Sequence, residues 1–241
     1  MIFVYNSFLG QYSDSPRAIY ERLLDVDDAH THVWLVGEGH HDSFPVEANT
    51  VAMGSEACVA LLEAADVVVS NTCLEVAWVK RPETVYLQTW HGTPLKRIHY
   101  DAPCVGPEDE QRLGLDISRW DYLLSPNRAS TERLRGAFRF DGAVMETGYP
   151  RNDVLLTGDR DLRRAKVRAE LGLDDGTTAV LYAPTWRDDE YHARNVKLGL
   201  DVESFAKGMG EDWCLLQRAH YYVADRMALQ QKPGVLDVSS Y

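Results

Sequence analysis

The sequence predicts an α/β protein in which short parallel strands alternate with amphipathic helices in doubly wound sheets. Short apolar runs recur along the chain, stretches with helical periodicity separate them, and glycine or proline marks several of the turns. The 241 residues suffice for two modest domains that each bury a core, and two domains are expected.

The elements of the first domain follow from these apolar runs. Its predicted strands cover residues 2–5, 32–36, 67–69, 85–88, 122–124 and 143–145. Helices are predicted at 55–64 and 129–138, and an earlier helix is expected to begin with Ser15 as N-cap and Pro16 at its first position. Strand–helix–strand units of this kind pair their strands in parallel, so the sheet is predicted to be doubly wound.

A second unit follows the first. A charged helix is predicted at residues 161–171 and ends at Gly172, where a left-handed residue is favourable. Residues 179–182 and 213–216 are predicted to be the first two strands of a second sheet. Two strands do not make a stable domain, so this domain is expected to be incomplete. The predicted domains are 1–157 and 158–241.

Composition excludes several classes of protein. Apolar residues make up 45% of the chain and charged residues 26%, which is ordinary for a globular protein, and no run approaches the roughly 18 apolar residues of a membrane-spanning helix. The N-terminus lacks a basic region and a cleavage site, so a cytoplasmic location is expected. A formal net charge of -12 argues against binding of nucleic acid, and an anionic substrate therefore needs a local basic pocket.

No metal site or cofactor site is predicted. The four cysteines are scattered without a C-x-x-C pair, which is typical of reduced, buried thiols; they are Cys58, Cys73, Cys104 and Cys214. The polar run around His40 and His41 lacks the helical spacing of a zinc motif. The chain contains no Walker A, G-x-S-x-G or G-x-G-x-x-G motif, which removes three common chemistries.

The most informative segment follows the fourth predicted strand and reads Gln88-Thr89-Trp90-His91-Gly92-Thr93-Pro94-Leu95-Lys96. Ligands of doubly wound sheets bind at such strand ends. A helix is predicted near Pro94, whose N-terminus would attract an anion, and His91 beside it is suited to accept a proton. The alternative is a core histidine beside a structural turn, and the spacing alone does not decide between them.

Three further segments could contact an anion. Thr185 and Arg187 follow a strand of the second unit, although Arg187 could equally be solvated there. Arg218 and His220 lie two residues apart at the next strand end and would point the same way in a continued strand. Arg151 follows a Gly-Tyr-Pro turn that could equally be an ordinary linker.

Four segments, taken in their order along the chain, resemble the CDP-glycerol glycerophosphotransferase family of teichoic acid polymerases and primases. The similarity lies in residues 12–21, 89–96, 147–153 and 182–187, which extend along most of the chain. The resemblance implies a GT-B-like architecture with two Rossmann-like domains, the first serving the acceptor and the second, truncated here, the nucleotide donor. The family's Asp-Tyr-Ser-Ser type of loop cannot be placed, because the sequence ends first.

The resemblance also implies residue roles. His91 matches a position in the catalytic loop of the family and is the candidate general base. The positions that match substrate contacts are Trp90, His91, Gly92, Thr93, Pro94, Arg151, Pro184, Thr185, Arg218 and His220, and Arg187 joins them from its place at the strand end. The implied partners are CDP-glycerol and a lipid-linked polyol-phosphate acceptor, with peripheral contact at the inner face of the cell membrane.

The function expected from the sequence is transfer of glycerol phosphate from CDP-glycerol to a teichoic acid acceptor with release of CMP. Three alternatives remain open at this point: a ribitol-phosphate transferase, a GT-B glycosyltransferase that uses a nucleotide sugar, and a truncated, non-catalytic module that binds the acceptor.

Overall fold

A computed structural model of the chain describes residues 1–27, 29–103, 106–184, 199–219 and 233–239. The chain divides into two compact units, Met1–Gly158 and Asp159–Tyr241.

The first unit contains a seven-stranded sheet. Its strands are β1 (Ile2–Asn6), β2 (Thr31–Val36), β3 (Thr50–Ala52), β4 (Val67–Ser70), β5 (Val85–Gln88), β6 (Tyr122–Leu124) and β7 (Ala143–Met145). They are all parallel and lie in the order β3-β2-β1-β4-β5-β6-β7. The chain therefore builds outward from β1 in one direction, returns, and continues on the other side from β4. Ligands of open parallel sheets bind at such a reversal, beyond the carboxyl ends of the strands.

Helices cover both faces of this sheet. They are α1 (Asp14–Val26), α2 (Glu56–Ala64), α3 (Pro107–Ile117) and α4 (Arg128–Phe138). On one face Val4 and Val68 pack with Leu62 and Leu134 from the helices, and on the other Tyr5 and Trp34 pack with residues of α1. Successive side chains of a strand point to opposite faces of the sheet. Val4 and Tyr5 of β1 are therefore both buried, each against the helices of a different face. The doubly wound, parallel α/β sheet predicted from the sequence is confirmed.

The second unit contains a smaller parallel sheet. Its described strands are β8 (Thr178–Tyr182), β9 (Trp213–Gln217) and β10 (Val235–Asp237), in the order β10-β9-β8. Helix α5 (Arg160–Glu170) precedes β8, and α6 (Val202–Met209) precedes β9. Val202, Leu215 and Val235 form its buried apolar core. Gly172 has a φ of +65°, as the sequence predicts for the residue that ends the charged helix.

The predicted start of the first helix is wrong. Helix α1 begins at Asp14, and Ser15 is not its N-cap. Asp14 has a φ of +60°, and its carboxylate accepts a hydrogen bond from the Ser15 N–H at 2.6 Å, so it takes the capping role expected of Ser15. Ser13 occupies the N-cap position with an extended backbone, but its side chain makes no capping hydrogen bond, and its hydroxyl lies 2.9 Å from that of Ser7.

A buried carboxylate lies between α3 and β5. Asp116 is 1% exposed, accepts a hydrogen bond from Trp120 Nε1 at 2.9 Å and lies 3.4 Å from the Tyr86 hydroxyl. Arg119 approaches it to 3.8 Å. Burial raises the pKa of Asp116 to about 6, and these hydrogen bonds and the arginine offset the effect of burial only in part.

Asp116→Asn is expected to change how stability depends on pH. The folded-state pKa of about 6 lies above the unfolded value of about 3.9. The resulting stabilisation is therefore complete below the unfolded pKa and is lost as the pH rises through the folded one. Between about pH 5 and about pH 8, wild type should lose about 1.4 kcal/mol relative to the variant.

Urea unfolding at both pH values measures this difference. Asp109→Asn is the matched control, because Asp109 lies on the same helix with an exposed side chain, and its stability should follow the wild-type dependence on pH. If the stability of Asp116→Asn also changed with pH as that of wild type does, the result would contradict the pKa assigned to Asp116.

Candidate active site

A buried polar cluster lies where the strand order reverses. Asn6 ends β1 and Ser70 ends β4, and the two residues are paired in register. Asn6 Nδ2 donates hydrogen bonds to Ser70 Oγ at 2.9 Å and to Thr72 Oγ1 at 3.2 Å. The two strand ends are thereby held together by side chains as well as by the sheet.

Asn71 extends this cluster to the start of α1. Its Oδ1 accepts a hydrogen bond from the Phe8 N–H at 2.7 Å, and its Nδ2 donates to Ser7 Oγ at 3.1 Å. Ser7 in turn contacts Ser13, just before α1. Asn71 is completely buried, so these bonds fix both its side chain and the direction of its backbone carbonyl.

The loop after β5 leaves the sheet through a strained residue. Gln88 Nε2 donates to the Thr72 carbonyl at 3.0 Å, and its Oε1 accepts from the Trp90 N–H at 2.9 Å. Trp90 is buried and has a φ of +53°, which is uncommon for a bulky residue. Left-handed residues of this kind occur most often at functional sites, where the surroundings hold them in place.

His91 follows Trp90, and its tautomer is determined by one contact. Nδ1 of His91 lies 2.6 Å from the backbone carbonyl oxygen of Asn71. A carbonyl oxygen only accepts hydrogen bonds, so Nδ1 carries the proton and Nε2 carries the lone pair. The imidazole is therefore arranged to accept a proton at Nε2.

The surroundings of His91 also favour its neutral form. Burial lowers its pKa below the usual histidine value, and the cation of Arg151 acts in the same direction. The Asn71 carbonyl and Asp14 oppose this effect but do not outweigh it. The imidazole ring lies 3.9 Å from the Trp90 ring and 5.4 Å from the Phe8 ring, between centroids, which restricts its orientation.

Arg151 connects this loop to α1. Its Nη1 donates to the His91 carbonyl at 2.7 Å and to the Asp14 carboxylate at 2.5 Å. Asp14 is 8% exposed in its side chain and Arg151 is 28% exposed. The neighbouring Tyr149 hydroxyl donates to the Gly92 carbonyl at 2.9 Å. Arg151 in the short 3-10 helix Pro150–Leu155 and Tyr149 directly before it thus hold two successive carbonyl groups of the loop.

The structure brings together several of the residues that the sequence singles out. Trp90, His91, Gly92 and Arg151 meet at the carboxyl edge of the first sheet. Sequence reasoning gave no role to Asp14 or Asn71. The available signal for Asn71 was the polar run from Ser70 to Thr72 directly after an apolar strand, which is typical of a strand end that faces a site.

The helix predicted near Pro94 is not formed. The backbone is irregular from Thr93 to Ile98, and Ile98 has an extended conformation before the short 3-10 helix His99–Asp101. Ile98 packs against the apolar core in this conformation, and the cations of Lys96 and Arg97 would be unfavourable near a helix N-terminus. The prediction of a helix here is therefore wrong, and no helix N-terminus is present in this loop to attract an anion.

The predicted residues of the second unit lie at one edge of its sheet where they are described. Pro184 follows β8 and the exposed Arg218 follows β9, and these two strands are adjacent and parallel with Tyr182 opposite Gln217. Arg218 Nη1 donates to the Val238 carbonyl at 3.2 Å. Thr185, Arg187 and His220 lie outside the described residues.

Metal-binding clusters and membrane-spanning helices are both absent from the described residues. Within these residues no group of three or more His, Cys, Asp or Glu side chains is arranged to hold a metal ion. No helix in the same part of the chain is long and apolar enough to cross a membrane. Cys58, Cys73 and Cys214 are free thiols, and Cys104 falls outside the described ranges.

Comparisons with known proteins agree on one family. The family described as CDP-Glycerol:Poly(glycerophosphate) glycerophosphotransferase matches residues 2–241. A teichoic acid poly(glycerol phosphate) polymerase of Staphylococcus epidermidis is 36% identical over 99% of this chain and 35% of its own length. A teichoic acid glycerol-phosphate transferase of Staphylococcus aureus is 35% identical over 98% of this chain and 64% of its own length.

A solved structure shows the same fold. A variant of the wall teichoic acid polymerase TagF soaked with CDPG superposes with a TM-score of 0.87 and 35% identity, over 100% of this chain and 61% of that chain. The chain thus spans between about a third and two thirds of the relatives that it matches.

Arg151→Ala is expected to lower the free energy of unfolding by about 3 kcal/mol, because it leaves the Asp14 carboxylate buried without its cation. The double variant Asp14→Asn/Arg151→Ala should cost clearly less than the sum of the two single changes, since no unpaired carboxylate remains. Urea unfolding of all four proteins gives the coupling energy.

Arg17→Ala is the matched control. Arg17 pairs with Glu21 on the same helix at 2.7 Å, but both side chains are about half exposed, so its loss should cost less than about 1 kcal/mol. Equal costs for Arg17→Ala and Arg151→Ala, or strict additivity in the cycle, would show that the Asp14–Arg151 pair does not stabilise the loop.

Proposed function

Because the chain belongs to the CDP-Glycerol:Poly(glycerophosphate) glycerophosphotransferase family, we propose that it forms the part of such an enzyme that activates the acceptor and begins the donor site. The reaction is transfer of glycerol phosphate from CDP-glycerol to the terminal hydroxyl of a teichoic acid acceptor, with release of CMP. The contact that carries this proposal is the hydrogen bond between His91 Nδ1 and the Asn71 carbonyl.

This contact supports His91 as the general base. With Nδ1 protonated and the ring neutral, Nε2 is ready to accept the proton of an incoming hydroxyl. The hydroxyl oxygen forms a bond to the glycerol-bearing phosphorus of CDP-glycerol, the bond from that phosphorus to the CMP oxygen breaks, and the hydroxyl proton passes to Nε2. As the ring becomes cationic, the Asn71 carbonyl stabilises the Nδ1–H in its position.

The Asp14–Arg151 pair supports the same role indirectly. Arg151 donates to the carbonyl of His91 itself, so Arg151 holds the backbone that bears the base, while the Asn71 carbonyl holds its imidazole ring. Catalysis by proton transfer requires this kind of fixed geometry, because small displacements of the base reduce the rate strongly. Arg151 is also proposed to contact the substrate, the role that the family resemblance implies for this residue.

The donor site is proposed to lie on the second unit. Arg218 and Pro184 follow neighbouring parallel strands, the usual position for nucleotide contacts in such sheets. Thr185, Arg187 and His220 are proposed to complete the diphosphate site with Arg218. Guanidinium groups bind phosphate oxygens in two-point contacts, which would stabilise the charge that develops on the leaving CMP.

The larger architecture is proposed from the same family. The first unit would serve the acceptor and the second the donor, in a GT-B-like plan, with domains at 1–157 and 158–241. Trp90, Gly92, Thr93 and Pro94 would contribute substrate contacts beside His91. The acceptor is proposed to be a lipid-linked polyol phosphate, which places the enzyme at the inner face of the cell membrane by peripheral contact. No cofactor or metal is part of this proposal.

His91→Ala is expected to lower kcat for transfer from CDP-glycerol by about two to four powers of ten, because the acceptor hydroxyl loses its base. The variant should remain folded, which circular dichroism checks. In wild type, kcat/KM should fall on the acid side with a midpoint below the usual histidine pKa, as burial of His91 requires. The assay uses the full protein and measures the transfer of labelled glycerol phosphate from CDP-glycerol to the acceptor.

His41→Ala is the control: His41 is exposed in the short 3-10 helix His41–Ser43, and its replacement should leave all of these values unchanged. Turnover by His91→Ala close to that of wild type would make His91 a structural residue. Transfer from UDP- or GDP-sugars with CDP-glycerol inactive would instead point to a glycosyltransferase in the same fold.

A further inference from the structure

A basic cavity adjoins the loop that bears His91. It has a volume of about 290 Å³ and is lined by Lys96, Arg97 and Arg133, with Asp101, Ile98 and Ala137 among its other walls. Lys96 and Arg97 come from the loop after β5, and Arg133 comes from α4. The proposed base and donor contacts do not account for these residues.

The charges of this cavity contrast with the rest of the chain. Three cationic side chains face one carboxylate, whereas the whole chain has a formal net charge of -12. Arg97 and Arg133 have no ion-pair partner in the part of the chain that the structure describes. Two arginines that face a cavity without such a partner favour an anionic ligand.

The cavity is close to the proposed reacting site. Pro94 lines it and lies three residues after His91, so their Cα atoms are at most about 11 Å apart. The intervening wall is packed: the Trp90 ring lies 4.8 Å from Phe138 and 5.3 Å from His99, and the latter two rings are 4.9 Å apart. Phe138 is adjacent to Ala137 of the cavity wall, so the loop and α4 hold the cavity in a defined position relative to His91.

We propose that this cavity binds an internal phosphodiester of the acceptor chain, upstream of the terminal hydroxyl that His91 deprotonates. This inference rests on the proposed function and specifies how the acceptor is held. A phosphodiester keeps its negative charge at all pH values of interest, and two arginines can each contact it through paired N–H groups. The apolar walls at Ile98 and Ala137 suit the carbon chain of a polyol.

The lining distinguishes this ligand from the nucleotide donor. Nucleobases in proteins usually stack on aromatic rings, and no aromatic side chain is among the described residues that line this cavity. Its volume is also at the lower limit for small-molecule sites, about 300 Å³. One phosphate with its polyol is therefore a better match than cytidine diphosphate.

The test measures binding without turnover, so that it remains informative if the proposed reaction is wrong. The full protein is titrated with a soluble oligo(glycerol phosphate) that has no lipid, with glycerol as the uncharged comparison, and with vesicles that contain anionic phospholipid. The variant is Arg97→Gln/Arg133→Gln, and the matched control is Arg128→Gln, an exposed arginine on α4 that does not line the cavity.

The expected result is that the double variant binds the oligomer about ten-fold more weakly or worse, because two charge-assisted contacts are lost. The control, the unfolding midpoint and the affinity for CDP-glycerol should stay at wild-type values. Unchanged oligomer binding by the double variant would overturn the proposal. So would an equal loss in Arg128→Gln, or a loss confined to the anionic vesicles, which would assign the cations to a membrane surface.

Discussion

Where the order of strands reverses, β1 and β4 end side by side in polar residues that water does not reach, so their hydrogen-bonding groups need partners in the protein. Asn6, Ser70 and Asn71 meet this requirement largely among themselves and their neighbours. The rest of the site depends on this constraint. Once the Asn71 side chain is held, its carbonyl has one direction, and the His91 ring takes its orientation and its tautomer from that carbonyl.

Backbone strain is concentrated around the same point. Phe8, Asp14 and Trp90 all have positive φ values between +49° and +60°. Such residues each cost about 1–3 kcal/mol and persist only where the surroundings hold them. Here the surroundings are identifiable: Asn71 binds the N–H of Phe8, Gln88 binds that of Trp90, and Arg151 binds the Asp14 carboxylate. The stability of the sheet is thus used to keep the loop and α1 in positions that neither would adopt alone.

The sequence predicted the elements that depend on local pattern. Strand β5 has the predicted bounds, because an apolar run flanked by polar residues is a local signal. Strand β3, Thr50–Ala52, was missed, since it is a short strand at the edge of the sheet with two of its three residues exposed. The helix expected near Pro94 was wrong: the backbone there is irregular, and the partly buried Ile98 packs against the core from an extended conformation, a tertiary contact that a local pattern does not show.

In the candidate site, too, local pattern identified some residues, whereas tertiary contacts determined the others. His91 and Arg151 were identified from their segments, but their partners were not, because Asn71 and Asp14 lie 20 and 137 residues away and no local spacing connects them. Asp14 was even placed before a helix whose cap was assigned to Ser15. Contacts between residues far apart in sequence depend on the order of the strands in the sheet. A pattern of alternating strands and helices does not determine this order. The residue proposed to supply the chemistry, His91, was visible in the sequence, whereas the residues that orient it became visible only in the fold.

The opposition between net charge and local charge bears on how a polyanionic acceptor would be bound. A chain with a formal charge of -12 repels a polyanion at long range, but salt screens exposed charges beyond about 8 Å under physiological conditions. At contact distance the cations of Lys96, Arg97 and Arg133 dominate. Attraction is then limited to a phosphate that has entered the cavity, and the remainder of a long acceptor gains little from the protein surface. An acceptor held at one point in this way can withdraw and rebind after its end has been extended.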